Sequence, residues 1–541
     1  MRIEMFWERL KNGNVGINPY LLKGVLESQG FGLYQPDKDR TSKKVLFFND
    51  KGTLKIYDPN ETKRFVREIL ESIDEKLFIE NTGCEKVEVL TCWSKYHPSR
   101  LKSEVLDDLE PYSELGLDWT SDLDIFTDDQ HTSHVRFKNG VVKITKDKIE
   151  LLDPSHESVQ GNVWESEIIE KDINLKKPMG LFTQFVEKSM LVRDRSLSFN
   201  DWTKEYPETY ETKESLLSLK SSIGYLIHNH NTPDKMKCVV FIDKGSDLQK
   251  PEGGNGKTLI LKSLKYFKKL STQDGKRFRK DIDRGGRFQF ADVKTDTKLI
   301  LIDDLRPDFE FESLFSMITG DMEIEGKGTN KFTIPEDRKP KFGVTTNYVL
   351  MGTGTSVSRR IHIVEFGDYW NRCIQEKESP SDRRHLGRML FDNFSQDDWD
   401  DFYNFGFECV QTYLKHGLIQ ADTSEYFLKS LKLKVEGVEG DGTVTGWMND
   451  WILNRNKELS EDELYELFQS ENAVESMTKW DKKTFHKGFF TFVMEHPDYD
   501  YNPKLSHKGD KKSDRRHMVG SRGNQRPMIE VTVKEKQLKV A

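Results

Sequence analysis

The chain has 541 residues, 35% of them hydrophobic and 32% charged, and a formal net charge of −8. This composition excludes a disordered polymer, the length predicts several domains, and no apolar run reaches the ~18–20 residues that span a bilayer. The acidic total means that any contact with nucleic acid must come from local charge, and five scattered cysteines with no apolar signal core in MRIEMFWERLKNGN predict reduced thiols in a cytoplasmic protein without membrane contact.

Residues 1–115 alternate short helical and strand patterns and predict a mixed α+β domain. KKVLFFNDKGTLKIYD reads as a hairpin around Asn49-Asp50-Lys51-Gly52, and ETKRFVREILESI as an amphipathic helix with Phe65, Ile69 and Ile73 on one face. Residues 116–175 read as a small β-rich unit with a hairpin at Asn139-Gly140. Ahead of it, Asp122 and Asp124 stand two apart, as in the metal-binding strand of archaeal–eukaryotic-type primases, and Ser133 and His134 also resemble that family. The histidine follows the acids too closely for the intervening sheet, so the expected reading is an acidic turn before a hairpin. Residues 176–235 turn helical, with Leu216, Leu217, Leu219, Ile223, Leu226 and Ile227 along one face, and predict a helical collar.

The region 236–370 carries the chemistry. KCVVFID is a buried-strand pattern, PEGGNGKT a glycine-rich loop, and LILKSLKYFKKL a helical pattern. Strand, glycine loop, helix is the setting of a phosphate-binding loop. Gly253, Gly254, Asn255, Gly256, Lys257 and Thr258 would cradle the phosphates of ATP, with Lys257 on the β- and γ-phosphates and the Thr258 hydroxyl on Mg²⁺. Pro251 stands where the usual first glycine would be, and its fixed φ would set the entry into the loop. TKLILIDDL is a second buried strand. Asp303 is expected to hold Mg²⁺ and Asp304 to polarise the attacking water, although either could be the base. KFGVTTN ends in Asn347, placed to orient that water. Arg359 and Arg360 open RRIHIVEF, and either could act as an arginine finger towards a neighbouring subunit.

With these motifs in order, residues 237–366 resemble a superfamily 3 helicase core of the viral and phage primase-helicase type, in its poxvirus-like branch. The resemblance implies an α/β fold: an AAA+-like P-loop ATPase core with a mixed N-terminal region, a helical collar and a C-terminal winged-helix-like domain. It implies ATP and Mg²⁺ as cofactors and a ring-forming homo-oligomer, a hexamer, acting on single-stranded and forked DNA. It also implies a primase or another replication protein as partner, translocation from 3′ to 5′, and the host cytoplasm as location if the chain is phage-encoded. In this branch a hairpin between the second strand and the sensor asparagine grips DNA. Its tip here would be Gly326 to Lys331, with Lys327 and Lys331 on phosphates.

Residues 371–440 read as a helical segment whose aromatics serve burial. Residues 441–541 read as three short helices, then two strands (DYDYNP and PMIEVTV) around a loop with eight basic residues against two acidic ones between Lys504 and Arg526. That pattern predicts a winged-helix-like domain contacting DNA through Lys511, Lys512, Arg515, Arg516 and Arg522. The expected function is an ATP-dependent replicative DNA helicase. The rivals are an AAA+-like origin-melting initiator or helicase loader, a primase-helicase that primes with its N-terminal half, and a DNA-binding scaffold without turnover.

Overall fold

The structure is a computed structural model. It describes residues 5–35, 44–113, 121–192, 210–244, 253–278, 289–306, 309, 311–325, 332–349, 359–379, 381–382, 386–436, 443–455, 458–471, 480–496, 499–508, 511–512, 515, 517–519 and 525–533. The fold is mixed α/β.

Five runs of five or six residues form one sheet, in the order Leu270–Asp274, Leu299–Asp303, Lys341–Thr345, Cys238–Asp243, Ile361–Phe366. All neighbours are parallel. The middle strands read as continuous apolar runs because both faces are covered. Val239, Phe241, Leu299 and Leu301 join one core, with the helices Leu181–Ser189, Tyr210–Ile227 and Gln396–His416. Cys238, Val240, Ile242, Ile300 and Ile302 join a second core on the other face. The collar helices and the later aromatic helix therefore share one layer.

The strand order creates a crevice. From Cys238–Asp243 the chain proceeds to the Leu270–Asp274 edge, whereas from the adjacent Lys341–Thr345 it proceeds to the opposite edge. Adjacent strands whose connections diverge open a cleft at their carboxyl ends, where open parallel sheets bind ligands.

The N-terminal region holds a six-stranded sheet in the order Val163–Trp164, Thr53–Ile56, Val45–Asp50, Phe31–Tyr34, Pro111–Ser113, Ser121–Asp122. Its hairpin turns at Lys51-Gly52, with φ of 51° and 95°, as a two-residue primed turn requires. Asp58 and Glu61 form a capping box that starts the helix Pro59–Ser72. The strands of 116–175 divide between two sheets. Ser121–Asp122 and Val163–Trp164 extend the N-terminal sheet. Thr132–Phe137, Gly140–Thr145, Ile149–Leu152 and Ile168–Ile169 form a four-stranded sheet. Val135, Phe137, Val142 and Ile144 of that sheet pack into the helical core beside the central sheet. Its hairpin pairs Phe137 with Gly140, so Lys138-Asn139 is the turn, one residue earlier than Asn139-Gly140.

At the other end, helices Thr443–Arg455, Glu461–Glu471 and Lys482–Glu495 bury Trp447, Trp451, Phe485 and Phe489 together. Leu459–Ser460 pairs with Arg526–Ile529, which also pairs with His517–Val519. Tyr499–Tyr501 pairs with Val531–Val533. PMIEVTV is thus two strands in two sheets, and the basic loop contributes a strand of its own. No helix among the described residues is long and apolar enough to cross a membrane.

Candidate nucleotide site

The strand Cys238–Asp243 ends at the crevice, and the chain returns through a glycine loop into the helix Lys257–Ser263. Gly254 and Gly256 have φ of 94° and 90°, left-handed values that favour glycine. A Cβ on Gly256 would lie 2.6 Å from Phe185 Cζ, and one on Gly254 would lie 2.9 Å from Ile374 Cδ1. Gly253 has no such constraint, since a Cβ there would meet nothing nearer than Asn347 Nδ2 at 3.5 Å. The loop is also held from outside. On the helix Tyr369–Gln375, the Asn371 backbone N–H donates to Asn255 Oδ1 (2.9 Å), and its Nδ2 donates to Gly253 O (2.7 Å). Pro251 lies outside the described residues.

Lys257 is the first residue of that helix, and its side chain is buried. Its ammonium donates to the carboxylate of Asp243, at the end of the preceding strand, and to Asn347 Oδ1 at 2.9 Å. Burial lowers the Lys257 pKa, and attraction to Asp243 opposes that fall.

Asp303 accepts three hydrogen bonds: from Thr258 Oγ1 (2.7 Å) and Thr345 Oγ1 (2.7 Å) on Oδ1, and from Lys262 Nζ (2.7 Å) on Oδ2. Burial pushes its carboxyl up, but the bonds from Lys262, Thr258 and Thr345 outweigh burial and hold it below the usual carboxylate range. Asp304 has φ of 58°, uncommon for a residue with a Cβ, and so turns from its neighbour. Its backbone N–H donates to Thr345 Oγ1 (2.9 Å), its Oδ1 accepts from Asn347 Nδ2 (3.4 Å), and its Oδ2 pairs with Lys276 (2.6 Å). The two acids thus face different partners: Asp303 the Thr258 hydroxyl, Asp304 the Asn347 amide.

The Thr258 hydroxyl and the Asp303 carboxylate are hard oxygen donors 2.7 Å apart. This set fits Mg²⁺, which takes one or two protein oxygens and completes its shell with water and phosphate. Among the described residues there is no cluster of three or more His, Cys, Asp or Glu side chains to cage a metal.

These groups border a cavity of about 780 Å³, ample for a nucleotide. Part of its wall carries no motif: Phe185, Tyr266, Trp370, Met389 and Phe391 come from distant segments. Asp243 and Asn371 likewise stand out only once the strands are in place. Their sole local signal is a strand-end acid and an amide on a helical pattern.

The remaining candidates lie elsewhere. Arg359 and Arg360 do not line this cavity. They precede Ile361, which pairs with Cys238 at the amino ends of the strands, about 20 Å from the carboxyl ends at ~3.3 Å per residue. The Arg360 guanidinium lies 4.8 Å from the Phe315 ring centroid. Lys327, Lys331, Arg516 and Arg522 lie outside the described residues. The strands Met322–Ile324 and Phe332–Ile334 that flank Lys327 and Lys331 pair antiparallel. Lys511 is exposed, and Lys512 pairs with Glu461 at 3.3 Å. Arg515 corrects an expectation. Its side chain is 7% exposed and donates to Asp500 Oδ1 (2.9 Å) and Tyr501 O (3.1 Å), so it braces the fold. Ser133 and His134 both bond to Asp128, at 3.1 and 3.0 Å.

No family model matches the chain, and no curated protein matches it in sequence. Among solved structures, the apo A form of the C-terminal region of NrS-1 (residues 305–718) is similar over 95% of this chain and 100% of that chain. The TM-score is 0.37 and the identity 11%. A likeness of that degree identifies neither fold nor activity.

Proposed function

We propose that the chain is an ATP-driven DNA helicase of the superfamily 3 type, working as a ring with the nucleotide between subunits. The observation that carries this reading is the convergence of Lys257, Thr258, Asp303, Asp304 and Asn347 at the carboxyl ends of three neighbouring parallel strands, around one nucleotide-sized cavity.

Lys257 would exchange the Asp243 carboxylate for the β- and γ-phosphates of ATP. The left-handed glycines let the loop backbone turn its N–H groups to the same phosphates. Thr258 and Asp303 would hold Mg²⁺, which when bound neutralises phosphate charge. Asn347 would orient the lytic water, and Asp304, which it already contacts, would accept a proton as water oxygen bonds to the γ-phosphorus and the bond to the β-phosphate oxygen breaks. Arg359 or Arg360, which do not line this chain's own cavity, would reach a neighbour's γ-phosphate.

DNA would be held by Lys327 and Lys331 and by residues 441–541. There, three helices with the His517–Val519/Arg526–Ile529 hairpin make a winged-helix-like unit that presents Lys511 and Lys512. Unwinding of a forked duplex, with the mass of the assembly measured in nucleotide, tests the proposal. ATP-dependent strand separation by a ring is expected, and a monomer that hydrolyses ATP but never separates strands overturns it.

A further inference from the structure

A second cavity, of about 320 Å³, lies where the N-terminal sheet, the Asp128–Arg136 segment and the central sheet meet. It is separate from the glycine loop, and six cationic side chains line it: Arg136, Lys268, Lys298, Arg338, Lys339 and Lys341. Four acids line it as well, Asp128, Asp129, Glu167 and Asp337, and Asp337 lies 3.7 Å from Arg338. Glu167 is taken by Lys298 at 3.0 Å. Asp128 is buried, with both oxygens engaged by Ser133, His134 and the Asn229 backbone N–H. Lys268, Lys339 and Lys341 donate to carbonyl oxygens alone.

The end of the helix Tyr210–Ile227 accounts for two of these lysines. Lys268 caps Leu226 O (2.7 Å), and Lys341 caps Tyr225 O (2.8 Å) and His228 O (2.6 Å), where a cation suits the helix dipole. Lys339 donates to Gly320 O (2.6 Å) and Arg136 to Val159 O (2.9 Å), but four buried atoms around the cavity are left. Among the described residues, His134 Nε2, His228 Nδ1, Asn229 Oδ1 and Asn231 Oδ1 have no hydrogen-bond partner. Buried polar atoms of this kind call for a partner. Phosphate alone would answer the cations and leave both amide oxygens without a donor. A nucleotide supplies phosphate, ribose hydroxyls and a planar base, and Tyr34, Phe126 and Trp164 line the wall.

We propose that this cavity is a second ligand site for a nucleoside monophosphate group, either a free nucleotide or the 5′-phosphorylated end of a strand. The phosphate sits among Lys268, Lys339 and Arg136, and the sugar or base donates to Asn229 Oδ1 and Asn231 Oδ1. Burial pushes the ammonium of Lys268 down to about 7 and that of Lys339 to about 8, so an incoming anion also favours their charged forms. The site does not depend on the helicase reading.

The test uses full-length Asp243→Asn/Lys257→Met protein, which lacks both members of the buried pair beside the glycine loop. Equilibrium dialysis measures binding of AMP, inorganic phosphate, and tetrathymidylate with and without a 5′-phosphate. One AMP or one phosphorylated oligonucleotide per chain is expected, bound about tenfold or more tighter than phosphate. Whichever of the two binds tighter assigns the source. Adding Asn229→Ala or Lys339→Ala should weaken binding about tenfold. Asn229→Ala should leave the melting temperature unchanged or raised, because it removes an unpartnered buried acceptor. Three results overturn the site: no nucleotide binding at millimolar concentration, phosphate binding as tightly as AMP, or undiminished affinity in both added variants.

Discussion

Replacing Lys257 by Met should cost stability as well as activity, for a reason visible in one ion pair. The Lys257 and Asp243 side chains are each 5% exposed. Removing one partner of such a pair strands the other charge in the interior, at about 3–5 kcal/mol. Asn347 gives up a donor too, but keeps its hydrogen bond with Asp304. Met replaces the lysine stem, so little of the cost comes from a cavity. The double variant Asp243→Asn/Lys257→Met removes both charges and should recover most of the stability, with a coupling energy of about 2–3 kcal/mol. Amide hydrogen exchange in the strand Cys238–Asp243 under increasing urea reads the local stability without assuming that the whole chain unfolds in one step. ATP turnover, measured alongside, should be absent from both variants. A single variant destabilised by less than about 1 kcal/mol, or a double variant no more stable than the single, would refute the burial of the pair.

Gly256→Ala should be destabilised by about 1–2 kcal/mol through its left-handed backbone and by about 1–3 kcal/mol through crowding against Phe185, which cannot swing freely because it stacks on Trp370 at 5.1 Å. Gly253→Ala should be near neutral, and urea midpoints compare the two. Arg515→Ala should destabilise the C-terminal helices by about 1.5–3 kcal/mol, because its charged hydrogen bonds go with it. Lys511→Ala with Lys512→Ala should instead lower the slope of log affinity against log salt by up to ~0.9 for each DNA phosphate these lysines neutralise; equal slopes would remove them from the interface. His362 and His228 give an acid test. Burial, with nearby Lys237 and Lys341 adding to it, pushes them down to about 3 and about 4 from 6.5. Between those values and 6.5 the unfolded chain binds more protons than the folded one, so stability falls as pH drops through that window, by up to ~1.4 kcal/mol per pH unit per group. Unfolding from pH 6.5 to 4 should be less steep in His362→Leu, and identical slopes would contradict its neutral burial.

The five-stranded parallel sheet is legible in the sequence because its middle strands are buried on both faces. KCVVFID and TKLILID announce themselves as apolar runs, and the glycine loop between strand and helix marks its own chemistry. What is not legible depends on partners distant in sequence. The helical pattern after Thr258 runs on through Leu270, but the helix ends at Ser263, and Leu270 begins an edge strand. Lys268 is held there by Leu226 O, a hydrogen bond no local pattern encodes. The strand His517–Val519 is mostly exposed, so it lacks the apolar alternation that betrays a strand. Arg515 reads as part of a basic surface because charge runs are usually solvated, and only its pairing with Asp500 turns it inward. The aromatic wall of the cavity beside the glycine loop comes from the helix at Phe185, the turn at Tyr266, the helix at Trp370 and the stretch around Phe391, and no motif joins them.

Mg²⁺-dependent ATP hydrolysis by the wild-type chain and by Asp303→Asn, with single-stranded DNA present, asks most directly whether Lys257, Thr258 and Asp303 share one nucleotide and its metal. Wild-type protein is expected to hydrolyse ATP and to stop when Mg²⁺ is chelated. Asp303→Asn, whose amide keeps the shape without the charge, is expected to fall by about 100-fold or more, roughly 2.7 kcal/mol of barrier. Wild-type protein that does not hydrolyse ATP, or an Asp303→Asn variant that hydrolyses it unimpaired, would contradict it.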